Sequence, residues 1–161
     1  MNQSPLNPQN GPGLKIPPLA LVVIMAALMW VASAATPIFD FALPAKRLWA
    51  VSLALIGLAT CLAGVASFRR AKTTVNPMKP DLTSSLVVSG IYKYTRNPMY
   101  LGFALILLGW AALLSSLTAL AFLPAFVVYI DRFQIRPEEH VLASLFPRDY
   151  PGYQARVRRW I

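Results

Sequence analysis

Charge is what this sequence most lacks. Only 13% of its 161 residues are Asp, Glu, Lys or Arg, against about 25% in an ordinary soluble domain. Acids are scarcest, with 6 Asp and Glu against 15 Lys and Arg, a net charge of +9. A hydrophobic content of 57% excludes a disordered chain and most water-soluble domains of this size. The one cysteine, Cys61, cannot form an internal disulfide and sits in an apolar run, where a small buried side chain is expected. One histidine, His140, and no CxxC pair leave no material for a protein-built zinc site, so no metal is expected. There is also no GxGxxG and no P-loop, so a nucleotide-like ligand would have to bind outside the usual α/β frameworks.

What is present is apolar length. Mean hydropathy is +0.53. Uncharged runs cover Ile16 to Ala35, Leu48 to Phe68 and Met99 to Ile130, which is 20, 21 and 32 residues. A helix rises about 1.5 Å per residue, so each of the first two matches one hydrocarbon thickness of about 30 Å. The third is too long for one span and breaks naturally at Ser115-Ser116. The expected fold is therefore all-α: an integral membrane helix bundle of four transmembrane helices, the last two a tight hairpin. Spans are expected at about 16–36, 48–68, 98–115 and 117–133, within a single domain 14–161 after a disordered leader, 1–13.

Charge asymmetry gives the topology. With four spans, 13 basic residues fall on one side and 2, Lys46 and Arg47, on the other. With three spans the split would be 7 against 8. The positive-inside rule selects four, with segments 69–97 and 134–161 and both termini in the cytoplasm. A bacterial inner membrane is the expected location, and nucleic acid is not an expected partner.

Two polar segments then share the cytosolic face. The first runs from Leu86 through Gly90, Tyr92, Tyr94 and Asn97-Pro98 to Tyr100 and Gly102. Gly90 permits a turn that a Cβ resists, and Asn97-Pro98 is a helix-start signal, with Asn as N-cap and Pro at N1. The second holds Arg132, Arg136, Pro137, Glu138, Glu139 and His140. Acids there suit a helix first turn. Beyond them Leu142, Phe146, Tyr150, Tyr153 and Val157 would form one apolar stripe toward the membrane surface in an amphipathic C-terminal helix, interrupted at Pro147 and Pro151. Arg156, Arg158 and Arg159 read as a solvated, membrane-flanking face. Acids, arginines and aromatics at the mouth of a bundle suit a ligand carrying both charges, with aromatic walls for an adenine or a sulfonium.

The segment Gly90-Ile-Tyr-Lys-Tyr-Thr-Arg-Asn-Pro-Met-Tyr-Leu-Gly102 resembles the G-x-Y-x-x-x-R-H-P-x-Y-x-G signature of the isoprenylcysteine carboxyl methyltransferase and phospholipid methyltransferase group. The tail from Glu138-Glu139 through Leu142, Phe146, Tyr150 and Tyr153 resembles that group's E-E-x-x-L…F-G-x-x-Y-x-x-Y signature. The resemblance covers about residues 72–160. It implies S-adenosylmethionine as cofactor, in a cytosolic pocket lined by Leu86, Val87, Gly90, Tyr92, Asn97, Pro98, Tyr100, Glu138 and Glu139. It implies methyl transfer by direct SN2 displacement to a lipophilic acceptor entering from the bilayer, an isoprenylcysteine-type carboxylate or a lipid amine or hydroxyl. Asn97, Arg136 and Arg132 are the candidate catalytic positions, the two arginines as groups orienting the acceptor. The family's substrate arginine falls near Gln134. Two positions depart from the pattern: Asn97 replaces a histidine and cannot titrate, and Pro147 replaces a glycine. The competing readings are a membrane reductase using NADPH and a small membrane scaffold. An ionisable residue within a span, which transport would call for, is missing from all the apolar runs.

Overall fold

The computed structural model describes residues 16–71 and 85–161; the leader and the middle of the 69–97 segment lie outside them. Helix α1 is Pro18–Ala35, α2 Lys46–Arg70, α3 Pro98–Leu114 and α4 Leu117–Ile130. Short 3-10 turns occupy Pro37–Phe39 and Gly90–Lys93. A π-turn, Asp131–Ile135, joins α4 to α5, Arg136–Leu145, and α6 is Tyr150–Arg156. No strand forms among the described residues, only an isolated bridge between Asp40 and Ser116.

Local chemistry sets the boundaries. Pro18 and Pro98 sit in the first turns of α1 and α3, where a missing N–H costs nothing. Arg69 and Arg70 close α2 at its negative dipole end. The α3–α4 turn falls at Ser115-Ser116 as expected, with Ser115 in a left-handed conformation at φ 53°. Three helical stretches are long and apolar enough to cross a membrane: Pro18–Ala35, Lys46–Arg70 and the continuous rod Leu117–Leu145. Helix α3 is equally apolar but shorter, at 17 residues.

Packing divides the bundle in two. Met29, Leu107, Ala111, Ala119, Phe126, Ile130 and Ile135 form a fully buried core between α1, α3 and α4. Helix α2 instead lies against α3 along a seam of small residues seven apart: Ala50 faces Gly109, Gly57 faces Gly102, and Gly64 faces Pro98 and Met99. A Cβ on Gly57 would strike the Gly102 carbonyl, and one on Gly109 the Ala50 carbonyl. This near approach of backbones is the small-residue packing of membrane helices, where dispersion and not water exclusion drives association. The outward faces of α1 and α2 expose Leu19, Val23, Leu28, Leu48, Leu55 and Leu62. At the end away from the polar tail, the Phe41 amide donates to the Ser115 carbonyl at 2.9 Å and the Thr36 and Thr118 hydroxyls meet at 2.8 Å.

The rod Leu117–Leu145 changes its winding at Asp131, and Pro137 supplies the reason. A proline has no N–H for the carbonyl four residues earlier, and its ring crowds that carbonyl. The backbone widens instead, so that the Arg136 amide donates five residues back to Asp131. Glu138 and Glu139 lie in the first turn of α5, as expected, although that turn continues the rod, since Ile135 before it is already helical. One expectation is corrected here. Pro151 does not break the tail; it lies in the first turn of α6, and the break falls between Phe146 and Asp149.

Candidate functional site

The two polar segments meet at one end of the bundle. Gly90 opens the first at φ +63°, and a Cβ there would meet the Ser67 hydroxyl at 2.6 Å. The turn is thereby laid directly on α2. Tyr92, two residues on, is buried with its ring edge-on to Phe68, centroids 5.3 Å apart. Its carbonyl accepts the Tyr153 hydroxyl at 2.8 Å. Residues Thr95 to Asn97 then run beside the C-terminus. The Arg96 amide donates to the Arg158 carbonyl at 3.1 Å, and the Asn97 side-chain amide donates to the Arg159 carbonyl at 3.0 Å.

Carboxylates of the second segment complete the assembly. The Tyr100 hydroxyl donates to Glu138 Oε1 at 2.7 Å. Glu139 takes Arg96 Nη2 at 3.2 Å and, on both oxygens, Arg159 Nε at 3.1 Å and Nη2 at 2.7 Å. Arg159 Nη1 also reaches Asp131 Oδ1 at 2.7 Å, while Asp131 Oδ2 accepts from Arg136 Nε at 2.9 Å. The result is a linear ladder, Arg96–Glu139–Arg159–Asp131–Arg136. Its Arg96 end is inside, with 9% of the side chain exposed, and its Arg136 end is outside, with 59% exposed.

Electrostatics follow from this burial. Hydrogen bonding to Glu139 leads the effects that hold the Arg159 proton more firmly than usual. Burial pushes the Tyr92 and Tyr153 phenols up, with Tyr153 and Glu138 adding at Tyr92 and Arg96 pulling Tyr153 back. Burial first, then Glu139, push Tyr150 up to about 12 against the pull of Arg96 and Arg159. All three phenols are neutral hydrogen-bonding groups near neutral pH.

An open cleft of about 390 Å³ lies beside this cluster, lined by Ser85, Leu86, Val88, Phe146, Asp149, Tyr153 and Arg156. Its volume falls in the range of small-molecule sites, about 300–1,000 Å³. Among the residues expected at a cofactor, Leu86 lines it. Val87, Pro98 and Tyr100 are buried close by in sequence or contact, and Glu138 joins Tyr100.

The structure revises several roles. Asn97 precedes α3 as expected, but its side chain makes no cap hydrogen bond and is spent on the C-terminal backbone. Tyr150, Tyr153 and Val157 do not face the membrane surface; they are buried together against Leu86, Leu142 and Phe146. Arg159 is no solvated membrane-flanking residue, since it forms the middle of the ladder. Gln134 is buried and donates to the Ile16 carbonyl at 2.9 Å, fastening the start of α1. Arg132 is exposed on the π-turn, apart from the buried end of the ladder. Sequence reading missed Arg96, Arg159 and Asp131 as site residues. An acid just after an apolar span was a usable signal for Asp131.

Apolar helices below and a cluster of arginine, carboxylate and tyrosine at one end define a membrane protein with a polar site at its water boundary. The chain belongs to the phospholipid methyltransferase family, whose model matches residues 45–149. That segment contains Arg96, Tyr100, Glu138 and Glu139, whereas Arg159 lies beyond it. The chain is also 41% identical over 63 residues to a protein of Haemophilus influenzae described as "Uncharacterized protein", covering 39% of this chain and 100% of that one. No solved structure matches. Membership makes this protein a membrane methyltransferase and removes the reductase and scaffold readings from first place.

Proposed function

We propose that the protein transfers the methyl group of S-adenosylmethionine to a lipophilic acceptor at the cytosolic membrane face. The observation that carries this reading is the joining of the two sequence blocks, Tyr100 to Glu138 and Arg96 to Glu139, in a member of this family. When bound, the cofactor would supply a sulfonium-activated methyl group, open to attack at carbon by the acceptor's nucleophile with S-adenosylhomocysteine as the leaving group.

The residues present suit such a ligand. Glu138 offers negative charge for an ammonium or for ribose hydroxyls. Glu139 has both oxygens committed to arginines, so its part is to hold Arg96 in place. Leu86, Phe146 and Tyr153 give the adjacent cleft apolar and aromatic walls for an adenosyl group. Gly90 and Tyr92 hold the first segment on α2 through Ser67 and Phe68, Pro98 packs at Gly64, and Val87 is buried beside the cleft residues Leu86 and Val88 in sequence. Alignment and exclusion of water are then the protein's main contribution to rate.

Asn97 does not titrate and acts as a splint between the first segment and the C-terminus. An acceptor carboxylate is already a nucleophile at neutral pH and needs no proton removed, which favours carboxylate acceptors over amines and hydroxyls. Arg132 and Arg136, exposed on the π-turn and just after it, would meet an anionic acceptor group at the water boundary. The 13-to-2 asymmetry of basic residues favours four spans with both termini cytoplasmic.

Calorimetric titration of detergent-purified protein with S-adenosylmethionine and its demethylated product tests the donor. Micromolar-range binding is expected, and no binding would sink the reading. Incubating membranes with methyl-labelled donor, followed by mass spectrometry of lipids, identifies the acceptor by a gain of one labelled methyl.

A further inference from the structure

Arg96 is the most unusual polar side chain among the described residues. It is nine-tenths buried, and its Nε and Nη1 have no hydrogen-bond partner; Nη2 is used on Glu139, and the Tyr150 hydroxyl also lies against the guanidinium. Buried guanidinium N–H groups without acceptors are costly, because desolvation is not repaid. Burial therefore points to an acceptor that arrives with a ligand.

Charge along the ladder agrees. Three guanidinium groups, Arg96, Arg159 and Arg136, share two carboxylates, Glu139 and Asp131. One positive charge is left over. The outer arginine, Arg136, is solvated, so the excess that matters lies at the buried end, on Arg96. Arg96 is also fixed in advance. Its amide is tied to Arg158, its guanidinium to Glu139, and its neighbour Asn97 to Arg159. A preorganised arginine loses little entropy on meeting an anion, and its planar N–H array matches a carboxylate.

We infer that Arg96 receives the carboxylate of the donor's amino-acid arm, with its unpartnered Nε and Nη1 groups closing on that anion while Glu138 serves the ammonium end. This rests on the donor reading above and assigns a residue that the acids alone do not supply. The ligand's single negative charge neutralises the ladder's single excess positive charge. Arg159 then acts as a positioning residue, holding Glu139 so that Glu139 can hold Arg96.

The test uses the full-length protein in detergent and two ligands, S-adenosylmethionine and its decarboxylated form. The second keeps the adenosyl, sulfonium and amine groups and lacks only the carboxylate. Wild type should bind the first more tightly by about ten- to a hundredfold, the worth of a charged hydrogen bond. In Arg96→Gln that preference should collapse to within about threefold, chiefly by weaker binding of the carboxylate-bearing ligand. Arg96→Lys, which keeps the charge without the fork, should retain an intermediate preference and serves if the Gln variant does not fold. Equal affinity of wild type for both ligands overturns the Arg96 assignment and leaves the donor reading standing. An undiminished preference in either folded Arg96 variant also overturns it. Failure of wild type to bind either ligand overturns the donor reading itself.

Discussion

Arg159 and Glu139 are joined side-on, Nε to Oε1 at 3.1 Å and Nη2 to Oε2 at 2.7 Å, from opposite ends of the polar tail. The same arginine reaches Asp131 on the π-turn, and its own carbonyl takes the Asn97 amide. One residue near the end of the chain thus fastens both sequence blocks and the base of the rod. Removing it should loosen all of them. Arg159→Ala is expected to cost about 1–3 kcal/mol, because the side chain is 31% exposed and solvent screens part of the loss. Arg159→Lys should recover less than half, since an ammonium cannot reproduce the paired contact. Thermal unfolding in detergent reads both, and wild-type stability in Arg159→Ala would contradict the clamp.

Tyr100 and Glu138 give a cleaner substitution. Tyr100→Phe removes one hydroxyl from a 2.7 Å hydrogen bond and keeps the ring that packs in the core. A hydrogen bond to a charged acceptor is worth about 1.5–3 kcal/mol. Affinity for S-adenosylmethionine should fall about tenfold or more as Glu138 loses its fixed orientation. Isothermal titration measures it, with circular dichroism to show that helix content is kept.

Gly90 separates two kinds of cost. Gly90→Ala is strained by its φ of +63° and by a new Cβ 2.6 Å from the Ser67 hydroxyl oxygen. The left-handed backbone alone costs about 1–2 kcal/mol. Adding Ser67→Ala deletes that oxygen and leaves the Ser67 Cβ position at 3.6 Å, an ordinary contact. The double variant should therefore be more stable than Gly90→Ala and less stable than wild type. Additive losses would show that the Ser67 contact is relaxed elsewhere.

Alkaline pH should weaken the tail selectively. Tyr150 is raised from 10.0 to about 12, first by burial and then by Glu139. Below pH 10.0 the phenol is neutral in both folded and unfolded chains, and its contribution to stability is full. Between 10.0 and about 12 the unfolded chain releases the proton while the folded chain keeps it, so stability falls as pH rises through that window. Tyrosinate absorbance during titration should show late-titrating phenols. Tyr150→Phe should flatten the alkaline part of the melting-temperature profile.

Much of the fold was legible because a bilayer is a strict solvent. Uncharged runs of the right length leave helices as the available spanning form, and Ser115-Ser116 marked the hairpin within a residue. The two sequence blocks singled out Tyr92, Tyr100, Glu138 and Glu139, and the fold brings the blocks together through Tyr100–Glu138 and Arg96–Glu139. The small-residue seam went unread, although Ala50, Gly57 and Gly64 recur every seven residues, as do Gly102 and Gly109. Arg159 was not readable. It stands in a basic run beside Arg156 and Arg158, and nothing in its spacing separates a clamp from a solvated charge.

The sequence by itself determined that this is a basic, charge-poor helical membrane protein with two methyltransferase-like blocks on one face. Hydrophobic length and charge sign are properties of composition and order, and they act before any contact forms. Only the tertiary structure decided which charges pair. Pro137 widens the rod at Asp131, and the C-terminal segment returns beside Thr95 to Asn97. Arg96 is thereby buried with two nitrogens unpartnered, while Arg136 of the same ladder stays in water. Burial decides what a charge costs, and burial depends on where distant segments meet.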